Sequence, residues 1–312
     1  MQYDSFCYSR RDVPKGRSTL DPSIVVIGDV RADVHVLLEC CLMANALDAS
    51  ETTLTMLAQP VKDREGLLPY MKDLLRSFTF KSTCEYILLG NTLSDRGQND
   101  LFILATLSKM YEESLGKMRL VLSSHDHYFF TTILPFLMDP LPEHVIELQS
   151  HLRRVTWGND ERLKEKYSSS YVFLSSLYDE RYQTYFQSIF PTYSALESFL
   201  LHIFVPWYVI QVGQSKYVMT HTPLIPDDVE ALLNEHCNDK LGVRNAWCED
   251  AIVQHLLSLK QPQSRLPPFW KQRPAHLDTH TYNIYGNGGL VRMSNYISLD
   301  GTEDPCVGIF HK

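Results

Sequence analysis

The residues with chemical potential in this chain sit in a few short fragments: Gly28-Asp29-Val30-Arg31-Ala32, Gly90-Asn91 with Asp95-Arg96-Gly97, Ser124-His125-Asp126, His221 after Val218-Met219-Thr220, and Gly286-Asn287. Aspartate and histidine offer anionic oxygen and neutral nitrogen, the donors that hard and borderline cations take at about 2 Å. Arginine offers a planar fork of N–H groups that matches the oxygens of a phosphate. Each fragment also has an ordinary structural reading. Asp29 can cap a following helix, Asp95-Arg96-Gly97 can be a turn, and His125 and His221 can be satisfied buried histidines.

What positions these fragments is a repeated pattern. Ile24-Val25-Val26-Ile27 is a β-branched run that ends at Gly28-Asp29, and the apolar-periodic stretch Val34 to Leu47 follows. Tyr86 to Leu89 ends at Gly90-Asn91 and leads into a helical pattern over Leu101 to Tyr111. Arg119 to Leu122 ends at Ser123-Ser124 and leads into a helix near Tyr128. Near-continuous apolar strands, each followed by a helix, predict a mostly parallel sheet covered on both faces, with ligands at the carboxyl ends of its strands. Leu67, Leu68, Met71, Leu74 and Leu75 lie at helical spacing, so Asp63 to Phe78 is expected as an amphipathic helix. A stretch rich in Tyr, Phe and Leu, at about 135–205, reads as a helical insertion. Trp207 to Val212, Tyr217 to Thr220, Asn283 to Tyr285 and Tyr296 to Leu299 read as further strands.

Bulk properties remove several classes of function. With 312 residues, 44% of them hydrophobic, the chain can bury a substantial core. Its net charge of −8, with both signs interspersed, leaves no basic face for nucleic acid. Residues 1–22 form a polar segment with no apolar stretch behind the basic residues, so no secretory signal is expected, and 23–312 are expected as one domain. Apolar runs fall far short of the roughly 20 residues that span a bilayer. Seven cysteines without a CxxC pair are expected to be reduced, in a cytosolic setting.

In order and position the five fragments resemble the GDxHG, GDx(2–3)DRG, NH(E/D), H and GH motifs of calcineurin-like metallophosphoesterases of the PPP protein-phosphatase type. The spacing of Gly90 to Gly97 and the sequence Ser123-Ser124-His125-Asp126 are most similar to the secreted effector phosphatases of Legionella-type bacteria. The resemblance implies an α/β fold, a metallophosphoesterase-like β-sandwich flanked by helices, with the insertion at about 135–205. It also implies roles: two metals share a bridging aspartate and activate a water, Arg96 grips phosphate, and His125 protonates the leaving oxygen with Asp95 orienting it.

Carried over residue by residue, the metal positions are degraded. Asp29 and His221 remain good ligands, whereas Arg31, Asn91, Ser124 and Asn287 stand where the family has histidine, aspartate, asparagine and histidine. A neutral amide oxygen cannot bridge two cations as a carboxylate does, and the guanidinium of Arg31 repels a cation while suiting a phosphate. Asp33, His35, Asp126, His127, His276 and His280 lie near the motifs as substitute donors for a single metal. The expectation is a pseudophosphatase-like protein with a phosphate-binding set of Arg96, Arg31 and His125. It would carry no cofactor or a weakly bound Mn, Fe or Zn, and would bind a protein or phosphorylated ligand, in the host cytosol if the chain is a secreted effector. The alternative is an active metal-dependent phosphoprotein phosphatase, specific for Ser/Thr or Tyr, with an altered metal site.

Overall fold

The computed structural model describes residues 2–7, 22–59, 64–138, 165–205, 207–212, 214–221, 281–285, 296–298 and 306–311. Twelve strands occur among them: β1 (Gln2–Cys7), β2 (Pro22–Ile27), β3 (Leu47–Ala49), β4 (Phe78–Phe80), β5 (Glu85–Leu88), β6 (Met118–Val121), β7 (Phe204–Val205), β8 (Tyr208–Val212), β9 (Ser215–Thr220), β10 (Thr281–Tyr285), β11 (Tyr296–Ser298) and β12 (Cys306–His311). The helices are α1 (Val34–Met43), α2 (Glu51–Ala58), α3 (Arg64–Arg76), α4 (Asp100–Glu113), α5 (Ser124–Tyr128), α6 (Leu134–Met138), α7 (Ser168–Ser176), α8 (Glu180–Ile189) and α9 (Tyr193–Ile203). A single π-helical turn, Phe129–Ile133, joins α5 to α6.

A six-stranded sheet runs β1-β12-β2-β5-β6-β7, and a second sheet runs β11-β10-β9-β8. In the first, β2, β5, β6 and β7 are parallel, while β12 pairs antiparallel with β2 on one side and with the edge strand β1 on the other. The parallel strands are apolar because helices cover their faces. Val25, Val26, Ile87, Leu88, Leu120 and Val121 are fully buried. Connections are the expected ones, since a parallel pair needs a crossover and α1 and α4 supply it.

Strand β1 lies in the stretch read as a polar N-terminal segment; its six-residue pairing with β12 joins the two ends of the described chain. The two-stranded β3–β4 sheet, whose strands flank α2 and α3 in the chain, and α2 itself also lacked a sequence signal, for α2 shows only Thr53 and Leu57 buried. Within the expected insertion, α7, α8 and α9 are described, and their aromatic stripe is packing. Phe173 meets Phe186 at 5.8 Å between ring centroids, and Phe186 meets Phe190 and Tyr193 at 5.8 and 5.6 Å. The cysteines Cys40, Cys41 and Cys84 are buried thiols that form no disulfide. No helix among the described residues is long and apolar enough to cross a membrane.

Candidate functional site

Capping chemistry fixes where the polar loops leave the sheet. Asp33, not Asp29, caps α1, its side chain accepting from the N–H groups of His35 and Val36 at 2.9 and 3.5 Å. Asn99 caps α4 by accepting from the Leu101 N–H at 2.9 Å. Ser123 caps α5 in a capping box with Asp126. Asp29 is thereby released from a helix-end role and sits buried in the loop after β2.

The loops are tied to one another through buried Asp126. Its Oδ1 accepts from the N–H groups of Thr92 and Leu93 at 3.0 and 2.8 Å, and its Oδ2 accepts from the N–H and hydroxyl of Ser123 at 3.2 and 2.5 Å. The Asn91 N–H donates to Ser123 Oγ at 2.9 Å, and the Ala32 N–H donates to the Asn91 carbonyl at 3.0 Å. Burial pushes the Asp126 carboxyl up to about 6, against the opposing pull of these donors. With both oxygens engaged, Asp126 is a brace for the loops and not a substitute metal donor. Asp33 is likewise committed to capping, and His35 sits with its Nε2 2.9 Å from the Tyr70 hydroxyl.

Backbone strain marks the same loops. Arg31, Ala32, Asn91 and Ser94 have φ of 55°, 54°, 51° and 55°, the left-handed region that costs L-residues about 1 kcal/mol or more each. Gly90, at φ 91°, permits a close approach no other residue could: a Cβ there would lie 2.7 Å from both His221 Nδ1 and Ser123 Cβ.

Most of the residues singled out in the sequence meet at these strand ends. Arg31 Nε donates to Asp29 Oδ2 at 3.0 Å. Burial nonetheless pushes the Asp29 carboxyl up to about 6, with Asp95 adding in the same direction and Arg31 and Asn91 opposing. Asp29 Oδ1 and Asn91 Oδ1 are both buried without a hydrogen-bond partner. Asp95 accepts from the Arg96 N–H at 2.8 Å, and its Oδ1 lies 3.6 Å from Arg96 Nε and 3.9 Å from His125 Nδ1. His125 makes its close contact elsewhere: Nδ1 donates to the Ser94 carbonyl at 2.6 Å, a backbone acceptor nearer than the Asp95 carboxylate. The Arg96 side chain is 70% exposed, so its fork is open to a ligand. His221 is buried with Nδ1 2.7 Å from the Leu89 carbonyl, which joins β9 to the end of β5. Ser124 is exposed as the first residue of α5. Asn287, His276 and His280 lie outside the described residues.

These residues do not fit a two-metal centre. The guanidinium of Arg31 occupies one oxygen of Asp29, Asn91 offers only a neutral amide, and Ser124 offers a hydroxyl. Among the described residues no three or more His, Cys, Asp or Glu side chains form a group that could hold a metal ion.

Four residues around the site, Ser94, Asp100, Ser170 and Tyr167, were not singled out by the sequence. Ser94 acts through its carbonyl, and Asp100 and Ser170 brace it; the only available signal was a polar run, Ser168-Ser169-Ser170, opening an otherwise apolar helix. Tyr167 packs 5.3 Å from the His125 ring and stacks on Tyr128 at 3.9 Å, forming an aromatic wall beside the imidazole.

A search of curated proteins yields no match. Among solved structures, the phosphatase domain of the Legionella effector WipB is similar in fold, with a TM-score of 0.51 and 12% identity over 85% of this chain and 99% of that one. Residues 86–166, which contain Asp95, Arg96 and His125, match the family of WipA-like phosphatase domains.

Proposed function

We propose that the chain is a pseudophosphatase-like protein on a phosphatase-type fold, one that binds a phosphorylated protein in its strand-end cleft and does not assemble the two-metal centre of its relatives. The observation that carries this reading is the pairing of Arg31 Nε with Asp29 Oδ2 at 3.0 Å, a permanent positive charge on the one retained carboxylate of the first metal position. Arg31, Arg96 and His125 then supply donors for the oxygens of a phosphate, with the guanidinium charge standing in for part of the missing metal charge. This donor set and the similarity to phosphatase domains support a phosphoprotein as the ligand. The test is catalytic: purified protein with added Mn²⁺ is expected to leave an aryl phosphate unhydrolysed while binding inorganic phosphate. Hydrolysis that His125→Ala abolishes would refute the proposal.

A second reading has its own observation. Two buried oxygens without partners, Asp29 Oδ1 and Asn91 Oδ1, are what a single cation would satisfy, with His221 as a nitrogen donor. Such an ion would make the chain an active metal-dependent phosphoprotein phosphatase. Stoichiometric Mn, Fe or Zn in protein from metal-supplemented growth, lost in Asp29→Ala, would favour it.

A further inference from the structure

We infer that Asp100 and Ser170 are positioning residues for His125, acting through the backbone of Ser94, so that the helical insertion sets which imidazole nitrogen faces a ligand. The inference rests on the reading of His125 as part of a phosphate grip.

Ser94 is held at each of its polar groups. Its N–H donates to Asp100 Oδ1 at 3.1 Å, its hydroxyl lies 2.6 Å from Ser170 Oγ, and its carbonyl accepts from His125 Nδ1 at 2.6 Å. Ser170 Oγ in turn donates to Asp100 Oδ2, so one carboxylate grips Ser94 directly and through Ser170. Ser94, Asp100 and Ser170 are all fully buried. A serine at φ 55° relaxes toward ordinary backbone when released, and relaxation would turn its carbonyl away from the ring. Both ends of the clamp are built on rigid elements: Asp100 is the first residue of α4 and Ser170 lies in the first turn of α7. The neighbouring Ser169 N–H donates to the Asp95 carbonyl at 3.0 Å, a second tie from α7 to the same loop.

The consequence for the ring is specific. A carbonyl can only accept, so His125 carries a proton on Nδ1, and the neutral ring leaves Nε2 as its acceptor. Nε2 then takes a hydrogen bond from a protonated phosphate oxygen, or donates one when the ring is charged. A clamp that only stabilised the fold would leave the tautomer indifferent.

The experiment is ¹⁵N NMR of the full chain labelled at histidine, with His125 assigned by loss of its signals in His125→Gln. Wild type is expected to show His125 in the Nδ1–H form. Ser170→Ala and Asp100→Asn are expected to shift it toward a mixture with the Nε2–H form and to weaken inorganic phosphate binding by about 3- to 10-fold, the worth of one hydrogen bond. Ser170→Thr, which keeps the hydroxyl, restores the wild-type signature. The inference is overturned if wild-type His125 is in the Nε2–H form, or if either folded variant keeps the wild-type tautomer. Should Ser170→Ala fail to fold, the wild-type spectrum and Asp100→Asn still decide. Should wild type show the Nδ1–H form, shifted in the variants, yet bind no phosphate, the phosphate grip fails and the clamp stands.

Discussion

Replacing Arg31 by His and Asn91 by Asp together is expected to create a divalent-metal site where the wild type disfavours one. A guanidinium about 5 Å from a divalent cation repels it by about 2 kcal/mol at the dielectric of water and by about 7 kcal/mol at an effective value of 20. The Arg31 side chain is 33% exposed, so the lower figure applies, and its removal should raise affinity about 30-fold. Asn91 is buried, and giving it a negative charge adds attraction of at least the same size. The two changes together therefore predict roughly a 1000-fold tighter site. Titration calorimetry with Mn²⁺ measures this directly for wild type, each single variant and the double variant. Arg31→Lys is the control: it keeps the charge and should leave metal affinity low. Without metal, the double variant should bind inorganic phosphate more weakly than wild type, since it has lost a donor and gained an anion. Equal Mn²⁺ affinity in wild type and double variant would refute the electrostatic reasoning, as would a wild type that already binds one Mn²⁺ tightly.

Two further outcomes follow from the braces around the cleft. Burial pushes the carboxyls of Asp100 and Asp126 up to about 6, above the unfolded value, so their contribution to stability is fully present below that unfolded value and is lost as pH rises through about 6. The urea midpoint should therefore be higher at pH 5 than at pH 7, by about 1–3 kcal/mol in stability, with a smaller gain in Asp100→Asn. A Cβ at Gly97 would lie 1.8 Å from the Ala32 carbonyl oxygen, a backbone atom that cannot swing aside, so Gly97→Ala should lower Tm by about 5–10 °C in a thermal melt.

The sequence pointed to candidate residues wherever side-chain identity carries the chemistry. Asp29, Asn91, Asp95, Arg96, His125 and His221 stand at strand ends because apolar runs such as Ile24 to Ile27 reveal the strands by composition alone. It was silent where backbone atoms act. The Ser94 carbonyl that receives His125 would be there whatever residue occupied position 94, so no residue type could have pointed to it. Pairing between distant segments was equally hidden. Strand β1 joins β12 across nearly the whole chain, and a short polar strand has no period long enough to separate it from a loop. The Arg31 substitution was legible as a loss for a cation, but its partner was not, because only the left-handed turn at Arg31 and Ala32 brings the guanidinium back onto Asp29.

That turn is fixed by more than the ion pair it carries. Arg31 and Ala32 are both strained, and the Ala32 N–H is tied to the Asn91 carbonyl, so the loop is held in place from outside the ion pair. Asn91 is itself strained and tied through Ser123 to Asp126. The backbone that would present ligands is therefore braced independently of the side chains it presents. A loop braced by Asp126, Ser123 and the close approach of Gly97 to Ala32 keeps its shape whatever side chain stands at position 31. On the proposed reading, a braced and strained loop that carries Arg31 beside Asp29 presents donors that favour an anion over a cation.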